Sequence, residues 1–240
     1  MNKKLLIRKA HRYIGLLVSL QLLAWTIGGI WFTWNDIDEI HGDHLRQTHN
    51  NPHSTQPKLL PVEQAINTIE DFKSLNSIRV IKILNQSVYR INYNDGKTAL
   101  ISATTAQQIP PIGKEQAIKI AKNNAAFTAE IATIELISQT DAHHEYREKP
   151  LPAWAITFDY PSSPTFYVSQ KLGVLTSVRH TSWRIFDFLW MLHTMDYQSR
   201  DDFGNWLIKI FSVIALLTAL SGIVLFIISS RRKPQARPKK

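Results

Sequence analysis

The chain has 240 residues, 44% of them hydrophobic and 10% aromatic, which suffices for one or two modest domains and excludes a low-complexity or disordered chain. It has no cysteine, hence no disulfide, thiolate metal site or cysteine nucleophile. Its net charge of +9 would suggest nucleic acid, but Lys3, Lys4, Arg8, Lys9 and Arg12 at one end and Arg231, Arg232, Lys233, Arg237, Lys239 and Lys240 at the other leave 17 basic against 19 acidic residues between them, so no nucleic-acid partner is expected.

Residues 1–12 form a basic N-terminus. From Tyr13 to Trp34 the sequence YIGLLVSLQLLAWTIGGIWFTW carries no charge over 22 residues, long enough at about 1.5 Å per residue to cross a hydrocarbon layer of roughly 30 Å. This predicts a first transmembrane helix over 13–34. It reads as an uncleaved anchor rather than a signal peptide, because it ends in Trp31, Phe32 and Trp34 instead of a small-residue cleavage site. Gly15, Ser19, Leu22, Thr26 and Gly29 recur at helical spacing, a stripe that would allow close approach of another helix, and one turn earlier the same stripe reaches His11.

Residues 35–58 read as a juxtamembrane histidine-rich linker. His41, His44, His49 and His53, with Asp43 among them, are candidate ligands for zinc, copper or ferric iron. Their spacing matches no closed structural site, and a solvated linker is the reading that the Asn50-Asn51-Pro52 run favours.

The body repeats itself. PVEQAI (61–66) and GKEQAI (113–118) share Glu-Gln-Ala-Ile at a separation of 52 residues, and each opens a segment of helical spacing. After the first come IRVIKIL (78–84), VYRINY (88–93) and TALIS (98–102), the last two joined across Asn94-Asp95-Gly96, a hairpin turn signal. After the second come AWAITF (153–158) and TFYVS (165–169), then a turn through Gly173 into a last strand. The reading is two helix-plus-three-strand units, 59–110 and 111–182, each an antiparallel sheet with one face covered by its helix.

WRIFDFLWMLHTMDY (183–197) predicts an amphipathic aromatic helix. Phe186, Leu189, Trp190 and His193 share one face, with Arg184 and Asp187 pointing away, so the helix is expected on the outer membrane surface or under the external domain. His193 then reads either as a satisfied core histidine or as an iron ligand. A second transmembrane helix spans Trp206 to Ile228, with the small residues Ser212, Ala215, Ala219 and Gly222 on one stripe. The basic tail 229–240 follows. Because each basic cluster abuts one span, the positive-inside rule puts both termini in the cytoplasm and the centre outside it.

Taken together, the tandem units between spans, the His11-Arg12-Tyr13-Ile14-Gly15 entry, and Trp183-Arg184 through Leu192-His193-Thr194-Met195-Asp196 resemble the PepSY-associated transmembrane family over essentially the whole chain. The resemblance implies an iron-regulated protein of the bacterial inner membrane, in some members a ferric-siderophore reductase carrying b-type haem. It also implies a binding module, since PepSY units elsewhere dock and restrain peptidases. With two spans instead of the four of larger members, a complete haem site would draw on a second copy or another membrane subunit. His11 and His193 are the candidate haem ligands. They lie near opposite membrane faces, about 30 Å apart, and cannot share one iron.

No Gly-rich phosphate loop, His-Glu-x-x-His helix or Gly-x-Ser-x-Gly elbow is present. Any catalysis would be a cofactor's, with quinol or another redox protein as electron donor. The two expectations are a haem-b electron-transfer subunit and a membrane-anchored docking module.

Overall fold

The computed structural model describes residues 3–47, 59–68, 74–84 and 86–230. They form two compact units, one made of the chain up to Asn35 and from Phe186 onward, the other running from Asp36 to Ile185.

The first unit is helical. Helix α1 (Lys3–Trp34) and helix α6 (Trp206–Ser230) are the two spans. Their apolar windows have mean hydropathies of 1.7 and 2.7, yet only 11% and 6% of those windows is buried. Apolar helices left this bare are not core helices, and the solvent that suits them is lipid. They pack antiparallel, with Val18 and Trp25 of α1 against Leu207, Phe211 and Ala215 of α6. Farther along, Gly15 meets Thr218. Thus the contact face of α1 runs through His11, Gly15, Val18, Gln21 and Trp25, while Ser19 and Thr26 of the expected stripe are exposed. On α6, Ala215 and Gly222 belong to the face, but Ser212 and Ala219 do not. Size explains the difference: Trp25 and Phe211, edge to face at 5.4 Å, bury more apolar surface than small residues can.

The second unit begins with a short helix, α2 (Ile37–His41), whose first turn is capped by the Asp36 carboxylate accepting from the Asp38 N–H at 2.8 Å. Helix α3 (Val62–Ile66) precedes a three-stranded antiparallel sheet in the order β1 (Leu75–Ile83), β2 (Gln86–Tyr93), β3 (Thr98–Ser102). Helix α4 (Lys114–Asn124) precedes a four-stranded antiparallel sheet, β4 (Ile131–Ile137), β5 (Ala153–Phe158), β6 (Thr165–Ser169) and β7 (Leu175–Arg179). Strand alternation divides the first sheet cleanly. Tyr89, Ile91 and Ile101 pack under Ala65 of α3, whereas Val88 and Leu100 turn to the other face. There Ala117, Ile120 and Ala121 of α4 meet them, along with Ile156, Phe166, Val168 and Val178 of the second sheet. One core therefore joins both sheets, with α4 packed on the second. The turn between β6 and β7 presses in as well: Gly173 has φ +65°, and a Cβ there would come 2.6 Å from Ile83 Cδ1.

The second copy has four strands rather than three. β4 was not expected, because IATIELI has no hairpin signal after it and is separated from β5 by a long irregular segment. Counting β4, the order α3-β1-β2-β3 is matched by α4-β4-β5-β6, and β7 is an addition.

Helix α5 (Thr181–Thr194) starts in the second unit and ends in the first. Its later turns run antiparallel to α1, with Phe186 beside Trp31 and Phe32, Leu189 beside Gly28, and Leu192 accepting at its carbonyl from Gln21 Nε2 at 2.8 Å. Asp187, expected to point outward, is 3% exposed and pairs with Arg200 in the loop before α6. A charge is tolerated there because a partly buried guanidinium pairs with it.

Candidate functional site

His11 lies in the contact between the spanning helices. Its Nδ1 is 2.7 Å from Ser221 Oγ, and Ser221 Oγ donates to the Thr218 carbonyl at 2.8 Å. A hydroxyl has one proton, and here it goes to the carbonyl; Nδ1 must therefore be the donor, and Nε2 is the nitrogen left to face the groove as a ligand. Gly222 makes room, since a Cβ on it would sit 3.4 Å from His11 Cε1 and 3.9 Å from Nε2. The ring lines a groove of about 270 Å³ with Ala10, Ile14, Ile214, Leu217, Thr218 and Ser221. The arrangement is a basic nitrogen of fixed tautomer, backed by a relay to a helix carbonyl, in an apolar groove.

His193 is in a different setting. Trp25 lies 5.4 Å away, Phe32 6.4 Å edge-on, and Trp190 is stacked at 6.3 Å. Its Nδ1 is shut off from solvent without a hydrogen-bond partner, as is Trp25 Nε1. The level of His193 is that of Trp25, fourteen residues along α1 from His11, or about 21 Å at the helical rise. The two rings are thus nearer along the axis than a full hydrocarbon thickness, and still too far apart to share an ion.

Of the linker histidines, His41 ends α2 and His44 follows three residues later, while His49 and His53 lie outside the described residues. Among the described residues no group of three or more His, Asp or Glu side chains is placed to hold a metal. His44 is instead edge-on to His180, ring centroids 5.4 Å apart. His180 lies between β7 and α5. Here it is 2% exposed, and its Nε2 lies 3.0 and 3.1 Å from the Glu39 and Ile40 carbonyls at the end of α2. Both partners are acceptors, so Nε2 carries the proton. Burial, with smaller contributions from His44 and Arg184, lowers its basicity, and only the two carbonyl contacts oppose this.

A polar cluster unsignalled by any motif lies on the far face of the second sheet. Glu145 accepts from Arg184 Nε at 2.6 Å, from Arg184 Nη2 at 3.1 Å and from the Tyr167 hydroxyl at 2.7 Å. Its backbone carbonyl accepts from Arg179 Nε at 2.9 Å, and the Arg179 guanidinium sits 3.9 Å above Trp183. Tyr146 stacks on Tyr167 at 4.4 Å. Burial first, and then the Glu145 carboxylate, push Tyr167 well above the usual tyrosine range; burial lowers Arg179 to about 10, still charged at neutral pH. A doubly bonded carboxylate under a sheet reads as a fastening of the irregular segment to β6, β7 and the start of α5, not as an acid-base centre.

Residues 8–240 match the PepSY-associated TM region. The chain belongs to that family. No curated protein and no solved structure matches it. Membership and the two bare apolar helices make this PepSY-associated protein a membrane protein of mixed α and β structure, with two spans and two antiparallel sheets.

Proposed function

We propose that this PepSY-associated protein is an electron-transfer subunit of a bacterial inner membrane that holds b-type haem and serves reduction of iron, as a siderophore complex or otherwise, outside the cytoplasm. The basic clusters beside both spans support cytoplasmic termini and a periplasmic centre. The observation that carries the reading is the His11–Ser221–Thr218 relay. Metal-ligating histidines have their second nitrogen held by an acceptor, which fixes the tautomer and the ring, and His11 meets that condition.

The donor set fits a haem iron in part. His11 would supply one axial nitrogen. At about 270 Å³ the groove falls below the roughly 300–1,000 Å³ usual for ligand pockets, so one copy does not enclose a tetrapyrrole; a second copy or another membrane subunit would close the other side. His193 ranks second, because ligation through its Nε2 would leave an Nδ1–H with no acceptor. When bound, haem supplies a one-electron couple tuned by its axial ligand and by burial. The chain's part is to orient His11, exclude water with α1 and α6, and present the site to a quinol or redox-protein donor.

Full-length protein purified in detergent from haem-replete cells should give Soret and α-bands in a reduced-minus-oxidised spectrum, and His11→Ala should remove most of them. A colourless wild-type preparation overturns the proposal.

A second reading, a membrane-anchored module that docks a peptidase or other partner, is favoured by the outer strands β1 and β4, which pair on one side only and carry the exposed Val80 and Leu136. A colourless protein that binds an extended peptide along one of these edges would select it.

A further inference from the structure

Arg79 and Arg90 stand directly opposite one another in the β1–β2 ladder, on one face of the first sheet. Like charges in that position oppose folding. Among the described residues neither side chain makes an ion pair or a hydrogen bond, and Arg90 Nε is buried with no partner. Charge on an edge strand protects against edge-to-edge pairing, which would account for Arg79 on β1. It does not account for Arg90, which is on the central strand and only partly exposed.

The neighbouring row on the same face is Ser77, Asn92 and Thr98. Asn92 Nδ2 donates to Ser77 Oγ at 2.9 Å, and Thr98 Oγ1 donates to Asn92 Oδ1 at 3.2 Å. Since Ser77 accepts from the amide, its own proton is free to be donated outward, beside the two guanidinium groups. Two forks of N–H donors and a hydroxyl proton form a row of donors that, among the described residues, no carboxylate takes up.

Val88 and Leu100 on this face are buried in the core shared with the second sheet, and we propose that the part left exposed, around Arg79, Arg90 and Ser77, binds a small molecule bearing two or more oxyanion groups, of the di- or tricarboxylate or phosphate class. Cross-strand side chains about 5 Å apart match the separation of two carboxylates in one compact molecule, and each guanidinium can take one in its fork. The proposal is independent of the haem reading.

The test is the thermal midpoint of the full chain in detergent at low ionic strength, titrated with citrate, inorganic phosphate or chloride at matched ionic strength, and separately with phosphatidylglycerol. Citrate or phosphate should raise the midpoint in a saturable way that chloride does not. Exposed Arg79→Gln should weaken that binding roughly tenfold or more and, without anion, should melt higher than wild type, because the opposed charges are gone. Arg90→Lys should bind at intermediate strength. No saturable shift, or equal shifts in wild type and both variants, overturns the site. A shift with phosphatidylglycerol and neither soluble anion overturns the small-molecule assignment in favour of a lipid headgroup.

Discussion

Arg184 is fixed to Glu145 by two hydrogen bonds, Nε to Oε2 at 2.6 Å and Nη2 to Oε1 at 3.1 Å, thirty-nine residues apart in the chain. The carboxylate also holds Tyr167, so its loss would strand two donors. Glu145→Gln should therefore lower the stability of the unit from Asp36 to Ile185 by about 1–2 kcal/mol, a figure kept modest because Arg184 is 39% exposed. Urea unfolding followed by tryptophan fluorescence, which includes Trp183 in this cluster, checks it.

Tyr167 and Tyr146 are both raised above the usual tyrosine value, Tyr167 the more strongly, mainly by burial. A raised folded value means stability that is complete below the unfolded value of about 10 and is lost as pH climbs beyond it. Phenolate absorbance during alkaline titration should show these two tyrosines titrating only with unfolding. Tyr167→Phe should remove part of the alkaline loss; ionisation of all tyrosines in one early step would contradict this.

His180 has the opposite sign. Its lowered folded value gives stability that is present above about pH 6.5 and lost as pH falls through the folded value, because the unfolded chain binds the proton more readily. His180→Gln can still donate to the Glu39 and Ile40 carbonyls but cannot titrate. Its unfolding midpoint should be flatter than that of wild type between about pH 7 and pH 5.

At the candidate haem ligand, Ser221→Ala removes the acceptor for His11 Nδ1 without removing the ligand. Haem retention should fall about 10–100-fold, the usual cost of losing an outer-shell partner. Gly222→Val should lower retention further, since a Cβ there already touches the ring at 3.4 Å and leaves little room for two γ-methyls. Haem-to-protein ratios after dilution read both, and unchanged retention in Ser221→Ala would separate His11 from the iron.

Much of the fold was legible because it rests on local signals. The two spans are long uncharged runs, and the β2–β3 hairpin is announced by Asn94-Asp95-Gly96. β4 was missed because a strand paired with a partner sixteen residues or more away leaves no turn signature beside it. The contact stripe on α1 was misplaced by one residue because small size was taken as the signal, whereas Trp25 and Phe211 set the interface. The sites were less legible still. A histidine's worth depends on its partners, and Ser221 is 210 residues from His11. Asp187 looked like a solvent-facing charge because Arg200 lies beyond the helix end. His180, Glu145 and the Arg79–Arg90 opposition belong to no motif, and only sheet register and long-range packing bring them into view.

The core that the two sheets share has a consequence for the repeat. A sequence that reads as one unit written twice closes around a single set of apolar side chains, so removing either copy would bare the residues that the other contributes, Val88 and Leu100 from one side and Ile156, Phe166, Val168 and Val178 from the other. Halves expressed separately should then recombine when mixed, regaining together the single cooperative melt that neither displays alone.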